Sequence, residues 1–490
     1  MTIPRPSILA ACPPGSRVHT EEPARSLDDA LLRYGLPGFR PGQREAIETL
    51  LAERRLLFIA ATGGGKSLIY QLPAILLPGT TLVISPLISL MLDQVAALER
   101  RGIASTFIAS SLPTEELRRR LREFAAERYR IVFITPERLN SPRFRAAYQM
   151  MRRPLVAVDE AHCISEWGHD FRPTYLRIGE LLREIPPDRL LACTATATPR
   201  VRGEILERLS LPADTRQIVL GFSKPNLALS VRRVRSVKER DRRVGAELRR
   251  RLGRPTRRTK LGQGAMIVYA PTRGAVEAEA RRLARLGWAC RAYHAGLEPD
   301  RRVAVQDAFT AGRLNVVVAT NAFGMGIDRA DVQGVIHLAP PGSIESYYQE
   351  VGRGGRGGGL ATGLLLLLDS DVAVRRQMIE GSAEPSNPPP PSAARPEAPR
   401  PEAPQPAGTT GLSSLETEAL ARANLERRRA LFRDLMHWAR SRACRHDALV
   451  RYFGEEIDSR LGCGRCDRCR RPWSRIRRAW RWVTARALSR

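Results

Sequence analysis

At 490 residues the chain is long enough for about three domains that each bury a core. Eighty Lys plus Arg against 51 Asp plus Glu leave a net charge of +29, which favours a polyanionic partner, although an arginine-biased genome would account for part of the surplus. No apolar run reaches the roughly 18 residues of a membrane span, so neither a spanning helix nor a membrane partner is expected. Residues 1–26, interrupted by Pro4, Pro6, Pro13, Pro14 and Pro23, lack the apolar centre of a secretory signal and read as a disordered lead. Cys12, Cys163, Cys193 and Cys290 are scattered, which suits a reduced, cytoplasmic protein.

Ordered sequence begins near Ser26-Leu27-Asp28-Asp29, a helix start with acids in its first turn. Next comes Phe39-Arg40-Pro41-Gly42-Gln43; the Gln43 amide offers one donor and one acceptor and could read the N6/N7 edge of adenine, with Arg40 beside it. Leu56 to Ile59 is an apolar strand that feeds Ala60-Ala61-Thr62-Gly63-Gly64-Gly65-Lys66-Ser67, and Leu68 to Leu77 is helical. A strand, a glycine-rich turn and a helix N-terminus form a phosphate cradle for ATP, in which Lys66 neutralises β/γ oxygens and Ser67 ligates Mg2+. Ala60 occupies the place of the first glycine in the strict phosphate-loop pattern, so the form is A-x-x-G-x-G-K-[ST].

Thr81 to Ile84 and Arg130 to Ile134 read as further strands, each followed by a turn and a helix, so the sheet should be parallel. The turn at Ser85-Pro86 could hold a nucleic-acid phosphate or be an ordinary helix cap. Leu155 to Val158 ends in Asp159-Glu160-Ala161-His162, a carboxylate pair where parallel sheets place ligands. Asp159 would hold Mg2+ and Glu160 would orient and deprotonate the attacking water. The next stretch, Cys163 to Pro173, carries Trp167 and Phe171, which could be core residues or stack on single-stranded bases.

With its Trp167-Gly168-His169-Asp170-Phe171-Arg172-Pro173 core, the chain resembles the RecQ family of superfamily 2 DNA helicases from about Leu27 to Cys469. Further matches are Gln43, Lys66, Asp159 to His162, Thr194 to Ala197, Pro225 to Leu227, Tyr293 to Gly296, Ala322 to Asp328 and Gln349 to Arg353. The resemblance implies an ATP-dependent helicase with three-prime to five-prime movement, acting in DNA repair or recombination, whose partners are single-stranded DNA and duplex junctions and, beyond these, single-strand-binding or repair proteins. It implies that Trp167, His169, Phe171 and Arg172 couple DNA contact to hydrolysis.

The second half repeats the architecture without a phosphate loop, with strands at Met266 to Tyr269 and Val316 to Ala319 and helices at Ala275 to Leu286 and Arg301 to Ala311. The expected fold is therefore α/β, two RecA-like parallel-sheet lobes in tandem (residues 27–212 and 213–372) followed by a small helical zinc-binding module. Gln349 joins the nucleotide contacts, Arg356 is the expected arginine finger and Arg353 a γ-phosphate or interlobe contact. Departures from the family pattern are Glu166 for glutamine, Leu92 for lysine, Gln333 for arginine, and Gly354 and Gly357 for alanine and aspartate. The extra glycines should loosen the finger, so Gly354→Ala is expected to raise kcat. Residues 232–260 are very basic and include an amphipathic helix with Val244, Leu248 and Leu252 inward; most of this charge reads as a solvated face.

Residues 373–411, with Pro388 to Pro391 and a doubled Arg-Pro-Glu-Ala-Pro, form an extended linker. The module over 412–472 combines a helical stretch to about Ser441 with Cys444, Cys463, Cys466 and Cys469, a C-x18-C-x2-C-x2-C spacing that can close a tetrahedral structural Zn2+ site. A [4Fe–4S] cluster is the other reading, but Trp473 stands where its fourth cysteine is expected. The tail, 473–490, is rich in Arg and Trp and reads as a nucleic-acid-binding or interfacial helix, or a disordered basic end. Two other functions fit parts of the pattern: a DNA-stimulated ATPase that translocates without separating strands, and a non-catalytic DNA-binding scaffold.

Overall fold

The computed structural model describes residues 26–168, 170–324, 329–381, 414–456 and 462–469. Residues 1–25 of the N-terminal lead, His169, Met325 to Asp328, residues 382–411 of the linker and the basic tail lie outside the described residues; residues 373–381, read as the start of the linker, instead belong to the helix Asp369–Gly381. The chain forms two compact units, Met1–Gly221 and Phe222–Arg490.

In the first unit seven strands form one sheet: β1 (Arg55–Ile59), β2 (Thr81–Ile84), β3 (Ser105–Ile108), β4 (Ile131–Ile134), β5 (Val156–Val158), β6 (Leu190–Thr194) and β7 (Gln217–Val219). Their order is β3-β4-β2-β5-β6-β1-β7, with every pair parallel. The strands expected at Leu56, Thr81, Arg130 and Leu155 are all present, and β2, β4 and β5 are buried at every position. Continuous apolar strands need helices on both faces, because a parallel sheet joined by crossovers leaves neither face in water. Leu92, where the family pattern has lysine, packs against this core. The first helix, Leu27–Arg33, starts where Ser26 accepts a hydrogen bond from Asp29 N at 3.1 Å. The unit runs to Gly221 because β7 closes the sheet against β1.

The second unit has six parallel strands: β8 (Leu227–Arg233), β9 (Ala265–Tyr269), β10 (Cys290–Tyr293), β11 (Val316–Ala319), β12 (Val332–His337) and β13 (Ala361–Leu367), in the order β10-β11-β9-β12-β13-β8. Helices Arg273–Arg285 and Pro299–Thr310 realise the two helical patterns read between these strands. Edge strand β8 would expose unpaired backbone groups, yet Val231 N donates to Asp467 Oδ2 at 3.2 Å and Asp467 N donates to Leu229 O at 3.0 Å. The cysteine-bearing turn therefore caps the sheet edge. Helices Ser414–Arg440 and Arg445–Tyr452 complete this module, and aromatic contacts, Phe222 stacked on Phe453 at 4.2 Å and Tyr347 tilted against Trp438 at 4.8 Å, seat it on the lobe.

Candidate nucleotide site and DNA-coupling loop

Strands β5, β6 and β1 are neighbours, with Val158 opposite Ala192 and Ile59 opposite Thr194. The segments that leave their C-terminal ends, Asp159-Glu160, Ala195-Thr196 and the phosphate loop, are thereby set side by side. Within the loop Gly63 and Gly65 take φ of +86° and +75°, left-handed values that favour glycine. Lys66 Nζ donates to Ala60 O at 3.1 Å, which folds the lysine back over the loop. Gln43 Nε2 donates to Gly65 O at 3.1 Å and its Oε1 accepts from Arg40 N at 2.8 Å, while the Arg40 guanidinium donates to Gly63 O. Gln43 and Arg40 thus brace the loop backbone. Ala60 lies in the core with 1% exposure, so the departure from glycine is a packing choice. Thr62 and Ser67 are half-buried on the same turn, and a β-carbon at Gly64 would meet Ala61 O at 2.9 Å and Ala60 Cβ at 3.1 Å.

Asp159 is buried, and its Oδ1 accepts from Glu160 N at 3.0 Å and from the Cys193 thiol at 3.4 Å. Burial and the neighbouring Glu160 push its carboxyl up to about 6, against the pull of the Lys66 ammonium. Glu160 has φ +47°, an unusual left-handed conformation for a side-chain-bearing residue, and one of the kind that persists where surrounding contacts impose it. Those contacts run through His162, whose Nδ1 lies 3.3 Å from Glu160 Oε2 and 2.8 Å from Thr194 Oγ1. Burial opposes charge on this imidazole, but its neighbours hold its pKa well above the ordinary histidine value. The charged neighbour is Glu160, because burial pushes the Cys163 thiol up and keeps it protonated at neutral pH.

From His162 the contacts continue into the aromatic loop. Cys163 Sγ lies 3.8 Å from His162 Nε2 and 3.8 Å from Asp170 Oδ2, Arg172 Nη2 pairs with Asp170 at 3.1 Å, and Arg172 Nη1 donates to Pro86 O at 3.2 Å. The Ser85-Pro86 turn, the carboxylate pair and the loop are therefore one connected set. Trp167 is 37% exposed and Phe171 half-buried.

A second set of contacts escapes sequence reading. The helix Pro199–Arg208 presents Arg200, Glu204 and Arg208 at intervals of four, on one face. The Arg200 guanidinium lies over the Trp167 ring, 3.1 Å from its centroid. Glu204 Oε2 accepts from Ser165 Oγ at 2.9 Å and from Glu166 N at 3.1 Å. Arg208 pairs with Glu166 at 3.6 Å, which gives the residue standing for the family's glutamine a partner of its own. The charged stripe is visible in the sequence, but what it faces is not.

In the second unit Gln349 lies on helix Ile344–Val351, with Arg353 and Arg356 in the glycine-rich turn behind it. Arg353 is buried, its guanidinium packed on Gly324 with no room for a β-carbon there. Burial pushes the Tyr269 hydroxyl up to about 12, against the pull of Arg353 beside it. His337 stacks on Tyr269 at 5.3 Å and bonds Glu350 at 2.8 Å, tying the helix to β12. The turn is clamped as well: Lys224 Nζ donates to Gly352 O at 3.0 Å, and Asn226 Nδ2 donates to Gly355 O at 2.8 Å and Gly359 O at 3.0 Å. Side chains from 224 and 226 thus hold the turn on either side of the extra glycines, Gly354 and Gly357. Gly355, at φ +72° and touching Asn226, should lose about 1–2 kcal/mol or more on Gly355→Ala, read as a lower Tm. Gly354 has an ordinary φ, but its added methyl would sit 3.2 Å from the buried Ala361 Cβ, inside van der Waals contact; this crowding offsets the entropy gained by losing a glycine, so Gly354→Ala is expected to leave Tm nearly unchanged.

The Sγ atoms of Cys444, Cys463, Cys466 and Cys469 all lie within 4.8 Å of one another. Tetrahedral zinc with Zn–S near 2.3 Å spaces its sulfurs at about 3.8 Å, so the cluster fits the ion with little adjustment. Arg445 N and Cys466 N point at cluster sulfurs, from 3.5 Å and 3.3 Å, as donors to thiolates do. The buried Arg445 pairs with Asp467 at 3.0 Å and locks the turn to the lobe.

A phosphate loop after β1 and a carboxylate pair after β5, flanking β6 in one parallel sheet, together with a second parallel-sheet unit that carries a four-thiolate module, define a RecA-like two-lobe protein of the superfamily 2 type. Residues 40–205 match the DEAD/DEAH box helicase pattern, 248–358 the helicase conserved C-terminal domain and 369–470 the RecQ zinc-binding domain. The chain is 37% identical over 438 residues to the ATP-dependent DNA helicase RecQ of Bacillus subtilis (strain 168), covering 89% of this chain but 65% of that protein. It is 37% identical over 355 residues to the probable ATP-dependent DNA helicase RecS of the same organism, covering 71% and 68% of the two chains. The solved structure of S. cerevisiae Dbp5 bound to RNA and ADP BeF3 shares the fold, with a TM-score of 0.56 at 18% identity over 72% of this chain and 90% of that one. The chain belongs to the RecQ family of superfamily 2 helicases, and its zinc-binding module is the family's own.

Proposed function

We propose that this protein is an ATP-dependent DNA helicase that moves three-prime to five-prime along single-stranded DNA and separates duplexes during repair or recombination. The observation that carries the reading is the unbroken set of contacts from Glu160 through His162 and Cys163 to Asp170, Arg172 and Pro86. A change at the aromatic loop alters the surroundings of the carboxylate beside the phosphates. Lys66 and the loop amides of Thr62 to Ser67 neutralise and seat the triphosphate, with Gln43, Arg40 and Gln349 as further nucleotide contacts. Ser67 and Asp159 would hold a Mg2+ ion, which supplies charge neutralisation at the phosphates. Glu160 orients the attacking water and takes its proton, and the backbone strain it carries fixes the carboxylate's direction. Arg356 acts as the arginine finger and Arg353 as a γ-phosphate or interlobe contact, roles that rest on their motif. Because Lys224 and Asn226 already clamp the glycine-rich turn, Gly354→Ala should raise kcat by no more than about twofold, less than its extra glycine alone suggests.

Trp167, Phe171 and Arg172, with His169 outside the described residues, contact DNA. Partner proteins of the single-strand-binding or repair type and a cytoplasmic location belong to the same reading; no helix among the described residues is long and apolar enough to cross a membrane. Strand displacement on duplexes with either a three-prime or a five-prime tail, with ATP hydrolysis followed alongside, tests it. Unwinding of the three-prime-tailed substrate alone is expected. Hydrolysis without displacement on either substrate would leave only a translocase.

Glu204 should act as a positioning residue in this coupling, because it holds the loop backbone at Ser165 and Glu166. Glu204→Ala is expected to lower the ratio of DNA-stimulated to basal kcat by about fivefold or more, with the KM for ATP within twofold of the parent, and Glu204→Gln to recover part of that ratio. An unchanged ratio would show that the helix merely supports the loop.

A further inference from the structure

Residues 249–260 contain seven Arg or Lys among twelve residues and no acid. Arg250 and Arg251 lie within 3.6 Å of Glu247, but Arg249, Arg254, Arg257, Arg258 and Lys260 are exposed and have no carboxylate within 4.0 Å among the described residues. Exposed arginines of a solvated face usually sit on a helix; most of these sit on a loop that is fastened along its length. Ala289 N donates to Thr256 O at 3.0 Å, Thr256 Oγ1 donates to Arg258 O at 2.9 Å, Thr259 Oγ1 donates to Gly312 O, and Gly262 N and Gly264 N both donate to Asp331 Oδ2, at 2.9 and 3.1 Å. The fastenings reach residues just before β9, β10, β11 and β12, so the loop crosses the N-terminal ends of four strands. The exposed Arg285 and Arg313 lie at the same sheet end. His294, Gly324 and the residues after His337 leave the opposite ends, about 16 Å away along a five-residue strand.

We propose that this cationic ridge is a second DNA-contact surface of the protein, binding the phosphate backbone of duplex DNA without sequence preference. The inference rests on the reading of the chain as a DNA motor and adds a surface remote from the motor motifs. Duplex is favoured over single strands because residues 232–263 contain no aromatic side chain on which an unpaired base could stack. Cations held on a fastened loop meet a regular row of phosphates with little loss of side-chain and backbone freedom, and releasing the duplex counterions supplies the affinity.

The test compares the full chain with a variant carrying Arg249→Gln, Arg254→Gln, Arg257→Gln and Arg258→Gln, and with a charge-matched control carrying Arg118→Gln, Arg122→Gln, Arg143→Gln and Arg177→Gln. Affinity for a blunt duplex of arbitrary sequence is followed by anisotropy as a function of salt. Loss of about 0.9 in the log–log salt slope for each phosphate contact removed is expected in the ridge variant, about 3 to 4 in all, with at least a tenfold weaker Kd at low salt. The control should keep the parental slope, and single-strand-stimulated ATPase should stay within twofold of the parent in both. Equal losses in the two variants would reduce the effect to bulk charge and overturn the proposal. So would an unchanged duplex slope accompanied by lost binding to a polyglutamate peptide, which would identify an acidic protein as the occupant. If the parent shows no DNA-stimulated hydrolysis while the ridge variant still loses its duplex slope, the motor reading fails and the ridge stands.

Discussion

Replacing Lys66 by Ala is expected to lower kcat/KM for ATP hydrolysis by about a thousandfold or more in the presence of single-stranded DNA, while leaving the fold intact. The lysine is the charge placed inside the loop, and its ammonium is folded onto Ala60 O, ready for a phosphate oxygen. The loop does not depend on it for shape: Gly63 and Gly65 adopt their left-handed turns and Arg40 and Gln43 brace the backbone from outside. Nucleotide affinity and turnover should therefore both collapse with Tm unchanged within about 2 °C, which calorimetric titration and a thermal melt can read together. Glu160→Gln separates the two steps. Nucleotide binding should survive, because the amide keeps the side chain's size, while turnover falls by about a hundredfold or more for want of a base. Hydrolysis within tenfold of the parent in Lys66→Ala would remove the phosphate loop from the mechanism.

Removing the metal site should cost the second unit its cooperative fold. Cys466 is fully buried, and the residue after it pairs with both the backbone of β8 and the buried Arg445. Without the ion, four thiols crowd one site with nothing to draw them together, the turn loosens, and β8 regains an open edge. Cys466→Ser, or a strong zinc chelator on the parent, is expected to lower stability by about 4 kcal/mol or more and to shift the melting of this unit by about 10 °C or more. Asp467→Ala probes the same joint without touching a thiolate. It strands the buried guanidinium of Arg445 and should cost about 3–5 kcal/mol, with zinc content measured by a chromophoric chelator still one per chain. A parental melting curve in both variants would show that the module hangs on the lobe as a passenger.

Much of the chemistry is legible in the residues because it is local. A phosphate loop needs its glycines, lysine and serine in one short run, and a carboxylate pair at the end of an apolar strand is contiguous for the same reason. Four cysteines at close spacing likewise declare their purpose, since a tetrahedral site is filled from two short turns. The strands were legible too, because each is an apolar run buried on both faces. Harder to read were the contacts that join these pieces. Glu166 stands where the family has glutamine, and its partner, Arg208, comes from a helix more than forty residues on. Leu92 looked like a lost lysine and is a residue packed on the core. The surplus glycines after Arg353 suggested a slack turn, yet Lys224 and Asn226 hold it from another strand's approach.

What the sequence determined alone is therefore the set of reacting groups and the sheets that carry them, since both depend on short-range order: side-chain type, alternation of apolar runs and turn residues. Tertiary structure decided which groups touch. The strained Glu160, the His162 bridge to Thr194, the Arg200-Glu204-Arg208 face against the aromatic loop and the fastened basic loop beneath the second sheet all depend on the order β3-β4-β2-β5-β6-β1-β7 or β10-β11-β9-β12-β13-β8. Strand order is set by how crossovers bury the whole core, an energy shared among residues far apart in the chain, and for that reason it leaves no mark on any one stretch of sequence.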